Sequence, residues 1–146
     1  MDQALTLWIE EVKRFNGRLH LVSPSLEATL HEQVRDTMDL LGSVREGRIA
    51  DLGSGSGFLG IPYKVMNPEA KVSLIERSGK KCLFLRHVID RLGLLEISWY
   101  TGQLRRIGRG EAPRPNESGL WVLARQAWHM ATAGKRMGMP GRLRAN

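Results

Sequence analysis

The stretch Asp51–Gly57, DLGSGSG, decides the fold, and it overlaps the short, mainly apolar run Ile49–Leu52. A continuous apolar run of this length is typical of a buried strand. Glycine at every second position then predicts a loop, because glycine adopts positive φ and lets a ligand approach main-chain atoms closely. The loop would lie at the carboxyl end of the first strand, where open α/β sheets bind ligands.

Two classes of cofactor, as well as a purely structural loop, are compatible with these glycines. The series Gly55-x-Gly57-x-x-Gly60 matches the dinucleotide-binding pattern, and Glu76 follows at the expected spacing of ~20 residues. This match begins two residues too late after the strand, and the carboxylate of Asp51 would disfavour a pyrophosphate. A carboxylate beside the loop favours a cationic ligand, and therefore S-adenosylmethionine (SAM), which carries a sulfonium and an ammonium group.

Glu76 ends the second predicted strand, Lys71–Glu76. A carboxylate at this position can accept hydrogen bonds from the two hydroxyl groups of a ribose. We therefore predict that the main chain at Gly53 and Gly55, together with the side chain of Glu76, forms the cofactor site.

Strand and helix patterns alternate along the middle of the chain. Apolar segments predict two further strands at Ile97–Thr101 and Leu120–Ala124, and helical patterns at Phe58–Met66 and Gly79–Leu92 separate the first three strands. Such alternation predicts a parallel sheet with right-handed crossovers and helices on both faces.

The residues before this region carry helical patterns only. Apolar residues from Ala4 to Phe15 recur every three or four positions, and Asn16-Gly17 is a stop signal. Ser23-Pro24 then begins a second helix, which Gly42 ends. We treat the chain as a single domain, residues 1–146, with a helical segment (1–45), a SAM-binding α/β core (46–133) and an irregular tail (134–146).

The composition is typical of a globular protein, and its charge favours binding to a polyanion. The 146 residues are 42% hydrophobic, and 22 Lys and Arg against 15 Asp and Glu give a net charge of +7, which attracts nucleic acid. No apolar run approaches the ~20 residues of a membrane span, and the N-terminus has no signal core. With Cys82 as the single cysteine, which we expect in the core, the sequence predicts a cytoplasmic protein without a disulfide.

Longer motifs resemble one family, the small-subunit (16S) ribosomal RNA methyltransferase G family, also called glucose-inhibited division protein B. The resemblance is carried by DLGSGSGFLGIP at Asp51–Pro62 and by Ser78-x-Lys80-Lys81-x-x-Phe84-Leu85. It extends over roughly residues 5 to 130 and implies a SAM-dependent methyltransferase with a Rossmann-like parallel sheet preceded by helices. It also implies methyl transfer to N7 of one guanine in 16S rRNA, with that RNA or the small ribosomal subunit as partner.

Several site residues follow from the resemblance alone. Gly53 and Phe58 match positions of the family's cofactor loop. Leu104 and Arg105 match the pair that borders the adenine, and Arg125 matches an arginine that contacts the cofactor or the RNA. Arg105 departs from the family pattern, because a guanidinium cannot accept a hydrogen bond from the adenine amino group.

The chemistry implied by the resemblance needs no catalytic side chain. The N7 atom of guanine is a lone-pair acceptor without a proton, so no general base is required. We therefore predict no catalytic residue, and no metal, because the histidines have no metal-ligand spacing with Cys82.

The end of the chain differs from the family. Family members continue with a helix and three more strands, whereas residues 134–146 do not resemble them. The resemblance therefore implies a sheet that lacks the last strands. Two alternatives stay open: a truncated remnant that is inactive or depends on a partner, and a SAM methyltransferase that acts on a small molecule.

Overall fold

The structure is a computed structural model, and it describes residues 1–42, 44 and 47–102 and the backbone of 120–124. Its centre is a parallel four-stranded sheet in the order β3-β2-β1-β4. The strands are β1 (Arg48–Leu52), β2 (Lys71–Glu76), β3 (Ile97–Thr101) and β4 (Leu120–Ala124). The predicted parallel sheet is thereby confirmed.

The strand order makes β1 the point where the chain changes direction across the sheet. From β1 the chain first moves to β2 and β3 on one side, and β4 then pairs with β1 on the other side. In open α/β sheets, ligands bind in the crevice outside the carboxyl ends of the strands at such a point. The loop that follows Leu52 therefore lies at the position where a ligand is expected.

Five helices accompany the sheet in the described residues. They are α1 (Gln3–Leu19), α2 (Pro24–Ala28), α3 (Leu30–Leu41), α4 (Gly60–Met66) and α5 (Gly79–Leu92). Helix α5 has the predicted bounds, and Gly93 ends it in the left-handed conformation at φ 62°. In the described part of the chain, no helix is both long enough and apolar enough to cross a membrane.

The predicted stop at Asn16-Gly17 is wrong, because α1 continues to Leu19. The Asn16 side chain is buried and does not cap the helix. Its Oδ1 accepts a hydrogen bond from the Val22 N–H at 2.9 Å, and its amide donates to the carboxylate of Glu27. The Asn16 amide, which was interpreted as a signal for the end of the helix, thus takes part in tertiary contacts instead.

The helix predicted from Pro24 to Gly42 is instead two helices. Thr29 interrupts it with φ −115° and ψ 21°, so α2 ends at Ala28 and α3 begins at Leu30. The helix predicted from Phe58 also begins later, at Gly60, because the glycine loop extends through Leu59.

The sheet has two unequal faces in the part that the structure describes. One face packs Ile49, Leu74 and Ile97 against apolar residues of the helices in the main core. The other face carries a small cluster around Ala50 and Ile75, to which no described helix contributes. The described helices thus cover the first face, and the segments between β3 and β4 and after β4 lie outside the described residues, so helices on the second face stay a prediction.

Candidate functional site

The glycines of the loop divide into two structural kinds. Gly53, Gly55 and Gly57 all have positive φ, between 56° and 79°. A Cβ atom added to Gly53 would have no heavy atom within 4 Å, whereas one added to Gly57 would lie 2.5 Å from Ile61 Cγ1. Gly57 therefore permits tight packing, and Gly53 leaves main-chain atoms open on the outer side of the loop.

Ser54 fixes this loop to the end of β2. Its hydroxyl donates to the Asp51 carbonyl oxygen at 2.9 Å and accepts from the Ile75 N–H at 3.1 Å. The N–H groups of Gly53 and Ser54 both donate to the Ile75 carbonyl oxygen, at 2.8 and 3.1 Å. The sequence analysis missed Ser54, because its spacing alone did not show that it would bridge two strands.

Glu76 lies beside the loop, as predicted. Its Oε2 accepts a hydrogen bond from the Gly55 N–H at 2.8 Å, and its Oε1 accepts one from the Ser78 N–H at 3.1 Å. The residue is 7% exposed. Since each carboxylate oxygen has two lone pairs, the group can accept further hydrogen bonds while it holds these two main-chain donors.

Asp51 does not take the position that the sequence analysis gave it. The residue is 1% exposed, and its Oδ2 accepts a hydrogen bond from the Gly60 N–H at 3.0 Å. It therefore satisfies a free N–H at the start of α4 beneath the loop. The side chain lies on the helix-covered face of the sheet, and the expected attraction of its carboxylate for a cationic ligand stays a prediction.

Phe58 belongs to the core. Its residue is 3% exposed, and its ring lies 5.9 Å, centroid to centroid, from the ring of Trp8 on α1. Its predicted place in the cofactor loop stays a prediction, and its ring is occupied by packing against α1. The indole N–H of Trp8 also donates to the Ser56 carbonyl oxygen at 2.9 Å, a contact that the helical pattern of α1 did not reveal.

Three predicted site residues, Leu104, Arg105 and Arg125, lie outside the described residues. Their assignments stay predictions. The described residues after β3 extend to Gly102, and the Gly102 N–H donates to the Glu76 carbonyl oxygen at 2.9 Å. In the described ranges, no group of three or more His, Cys, Asp and Glu residues is arranged to hold a metal ion.

Cys82 lies directly under the end of β2, and its predicted place in the core is confirmed. It is 3% exposed, and its thiol donates to the Glu76 carbonyl oxygen at 3.4 Å. Burial raises the pKa of this thiol, the carboxylate of Glu76 raises it further, and a hydrogen bond with Thr101 lowers it in part. The thiolate is thus disfavoured at neutral pH.

We expect Cys82 to react slowly with iodoacetamide in the folded protein. At pH 8 the rate should be at least about tenfold lower than in the urea-unfolded chain, since both access and thiolate formation are suppressed. Mass spectrometry of the single alkylated product measures both rates. Equal rates in the two states would contradict the burial of this thiol.

Comparisons with known proteins agree with this geometry. The family model described as rRNA small subunit methyltransferase G matches residues 1–111. A protein named ribosomal RNA small subunit methyltransferase G from Roseiflexus castenholzii is 32% identical over 134 residues, which are 85% of this chain and 56% of that relative. The protein of the same name from Rubrobacter xylanophilus is 47% identical over 68 residues, covering 47% of this chain and 26% of the relative.

A solved structure from Klebsiella pneumoniae, assigned as an O-methyltransferase, superposes with a TM-score of 0.56. It is 18% identical and covers 77% of this chain and 50% of its own, so the likeness shows the fold. The Rossmann-like methyltransferase fold is thereby confirmed. The chain thus matches only part of these longer relatives: the matched regions make up 56%, 35% and 26% of the length of three of them.

Proposed function

Because the chain belongs to the rRNA small subunit methyltransferase G family, we propose that it binds SAM at the glycine loop and methylates N7 of a guanine in 16S rRNA. The observation that carries this proposal is the hydrogen bond of 2.8 Å between the Gly55 N–H and Glu76 Oε2, beside the open main chain of Gly53. A carboxylate held at the edge of an open glycine loop suits a ligand that has ribose hydroxyls and a positive charge.

The residues of the site have distinct roles in this proposal. Glu76 accepts hydrogen bonds from the ribose hydroxyls, and the main chain at Gly53 and Gly55 supports the rest of the cofactor. Leu104 and Arg105 border the adenine, and Arg125 contacts the cofactor or the RNA. No metal is assigned a role.

The reaction depends on alignment. When bound, SAM supplies an electrophilic methyl group whose bond to sulfur breaks as the bond to guanine N7 forms, with the electron pair staying on sulfur. The loop residues hold the donor in line with the incoming base, which replaces a bimolecular encounter by a fixed geometry. Since N7 carries no proton, no side chain has to act as a base.

The charge of the chain supports an RNA partner. The net charge is +7, and the exposed cations Arg77 and Lys80 lie one and four residues after Glu76. Lys and Arg that neutralise phosphates release counterions and so bind RNA in a salt-dependent way. A substrate of 16S rRNA would place the protein in the cytoplasm.

The dinucleotide alternative conflicts with the hydrogen bond that the Gly55 N–H makes to Glu76. A pyrophosphate in this loop would need the main-chain N–H groups that follow β1. The Gly55 N–H already donates to the Glu76 carboxylate at 2.8 Å. A second anion at that donor would meet a negative charge at close range, which is unfavourable.

Calorimetric titration of the chain with SAM and, separately, with NAD tests the cofactor assignment. We expect SAM to bind and NAD to give no heat of binding. Transfer of a radioactive methyl group from SAM to small ribosomal subunits that lack the modification, followed by mapping of the methylated base, tests the substrate. Binding of SAM with methylation of small molecules only would assign the alternative activity.

A matched pair of variants tests the open main chain of the loop. Gly53→Ala should weaken SAM binding roughly tenfold, because the new methyl group enters the space that the cofactor needs. Gly93→Ala is the control, since Gly93 also has positive φ and nothing within 4 Å of an added Cβ, but caps α5. Calorimetry should show weaker binding for Gly53→Ala alone, although both variants suffer similar backbone strain.

A further inference from the structure

Helix α1 reaches the glycine loop through one buried side chain. Trp8 is fully buried, and its indole N–H donates to the Ser56 carbonyl oxygen at 2.9 Å, across 48 residues of sequence. Its ring also packs on Phe58, with 5.9 Å between the ring centroids. One residue of the helical segment thus holds both the main chain and a side chain of the loop.

Trp8 donates to the carbonyl of Ser56, and the residue before it, Gly55, donates its N–H to Glu76. Ser56 stands between Gly55 and Gly57, which adopt φ values of 56° and 79° and, without a Cβ, restrict their own backbone less than other residues would. The Ser56 carbonyl and the Gly55 N–H belong to peptide groups separated by the one that joins Gly55 to Ser56. Holding the carbonyl therefore limits the backbone rotations by which the Gly55 N–H could leave Glu76 Oε2. The indole and the carboxylate thus restrain adjacent residues of the glycine loop.

The second half of α1 is held by α5. The ring of Phe15 lies 5.9 Å from the ring of Phe84 and 5.3 Å from that of His87. Glu11 Oε2 and His87 Nε2 are 2.6 Å apart. Helix α5 begins directly after Ser78, whose N–H donates to the other oxygen of Glu76. Helix α1 thus contacts both segments that hold the carboxylate.

We infer that Trp8 is a positioning residue for SAM, and that α1 holds the glycine loop in its binding conformation. The inference rests on the proposed function, because it assigns a role in binding the same cofactor. Trp8 itself is buried beneath the loop and acts through Ser56 and Gly55.

Trp8→Phe tests this inference, because phenylalanine keeps a ring against Phe58 and removes the donor to Ser56 together with part of the buried indole. We expect the dissociation constant for SAM to rise about tenfold, since a buried carbonyl loses its partner and the loop gains freedom. The control is Val12→Ala, which removes buried atoms from the same helix one turn after Trp8 and leaves the indole donor in place. It should lower stability and leave SAM affinity of the folded protein unchanged.

A double-mutant cycle distinguishes positioning from general destabilisation. If Trp8 acts through Gly55 and Glu76, Trp8→Phe combined with Glu76→Gln should weaken SAM binding by less than the product of the two single effects. Independent effects that multiply would overturn the inference. So would a folded Trp8→Phe variant that binds SAM as the wild type does.

The unchanged protein provides a measurement that does not depend on the folding of a variant. In ¹⁵N-labelled wild type, the indole N–H resonance of Trp8 should shift and exchange more slowly with solvent at saturating SAM. If the chemical shift and the exchange rate of the Trp8 indole N–H stayed the same at saturating SAM, the inference would be wrong. If the wild type itself binds no SAM, the proposed function fails instead, and the two failures are distinguishable.

Discussion

Replacing Glu76 with alanine is expected to weaken SAM binding by roughly 30- to 150-fold, or about 2–3 kcal/mol. The substitution removes the acceptor for the Gly55 N–H at 2.8 Å and for the Ser78 N–H at 3.1 Å. Both donors then lack a partner near a mostly buried position, and the ribose hydroxyls lose theirs as well. Calorimetric titration with SAM measures the effect.

Two control variants separate the causes of this loss. Glu76→Gln keeps the size and one carbonyl oxygen, so it should lose less affinity than Glu76→Ala. Glu69→Ala removes an exposed carboxylate near the other end of β2, and it should bind SAM as the wild type does. If Glu76→Ala folded and bound SAM with unchanged affinity, Glu76 would have no role in the ribose contact.

Gly60→Ala is expected to lower the free energy of unfolding by about 3 kcal/mol. A Cβ added to Gly60 would lie 2.3 Å from Leu74 Cδ2 and 3.1 Å from Asp51 Oδ2. Leu74 is fully buried in the main core, so it has little room to move, and overpacking of this kind costs 1–3 kcal/mol or more. Urea unfolding followed by circular dichroism measures the change.

Gly17→Ala is the matched control for this prediction. Gly17 lies inside α1 and has no heavy atom within 4 Å of an added Cβ. Because alanine favours the helix, this variant should gain up to about 1 kcal/mol of stability. A Gly60→Ala protein as stable as the wild type would show that β2 and α4 pack less closely than the structure indicates.

The fold was predictable wherever local sequence carried the information. Helix α5 has a periodic apolar face and a glycine directly after its last turn, and both signals agree with its bounds. Asn16 misled the analysis for a physical reason. Its amide is a turn signal only if no distant group uses it, and here Val22 and Glu27 do.

The contact between the glycine loop and Glu76 was predictable for a similar reason. Parallel neighbouring strands end at the same edge of a sheet, so the loop after β1 and Glu76 at the end of β2 had to meet. The contact of Trp8 with Ser56 was not predictable, since 48 residues separate the partners. The position of Asp51 depended on which face of β1 the helices cover, and the sequence pattern did not decide this.

The shared core has a consequence for building hybrid proteins from relatives. Apolar residues of α1 and α3 belong to the same buried cluster as the strands β1 and β2. A chimaera could take its first 45 residues from one species and the remainder from another. The side chains of its helical segment would then have to fit those of the sheet and its helices in this cluster. Residues such as Trp8 and Phe15 should therefore vary together with the residues that they contact in the second part of the chain. A chimaera that mismatches these contacts should fold poorly.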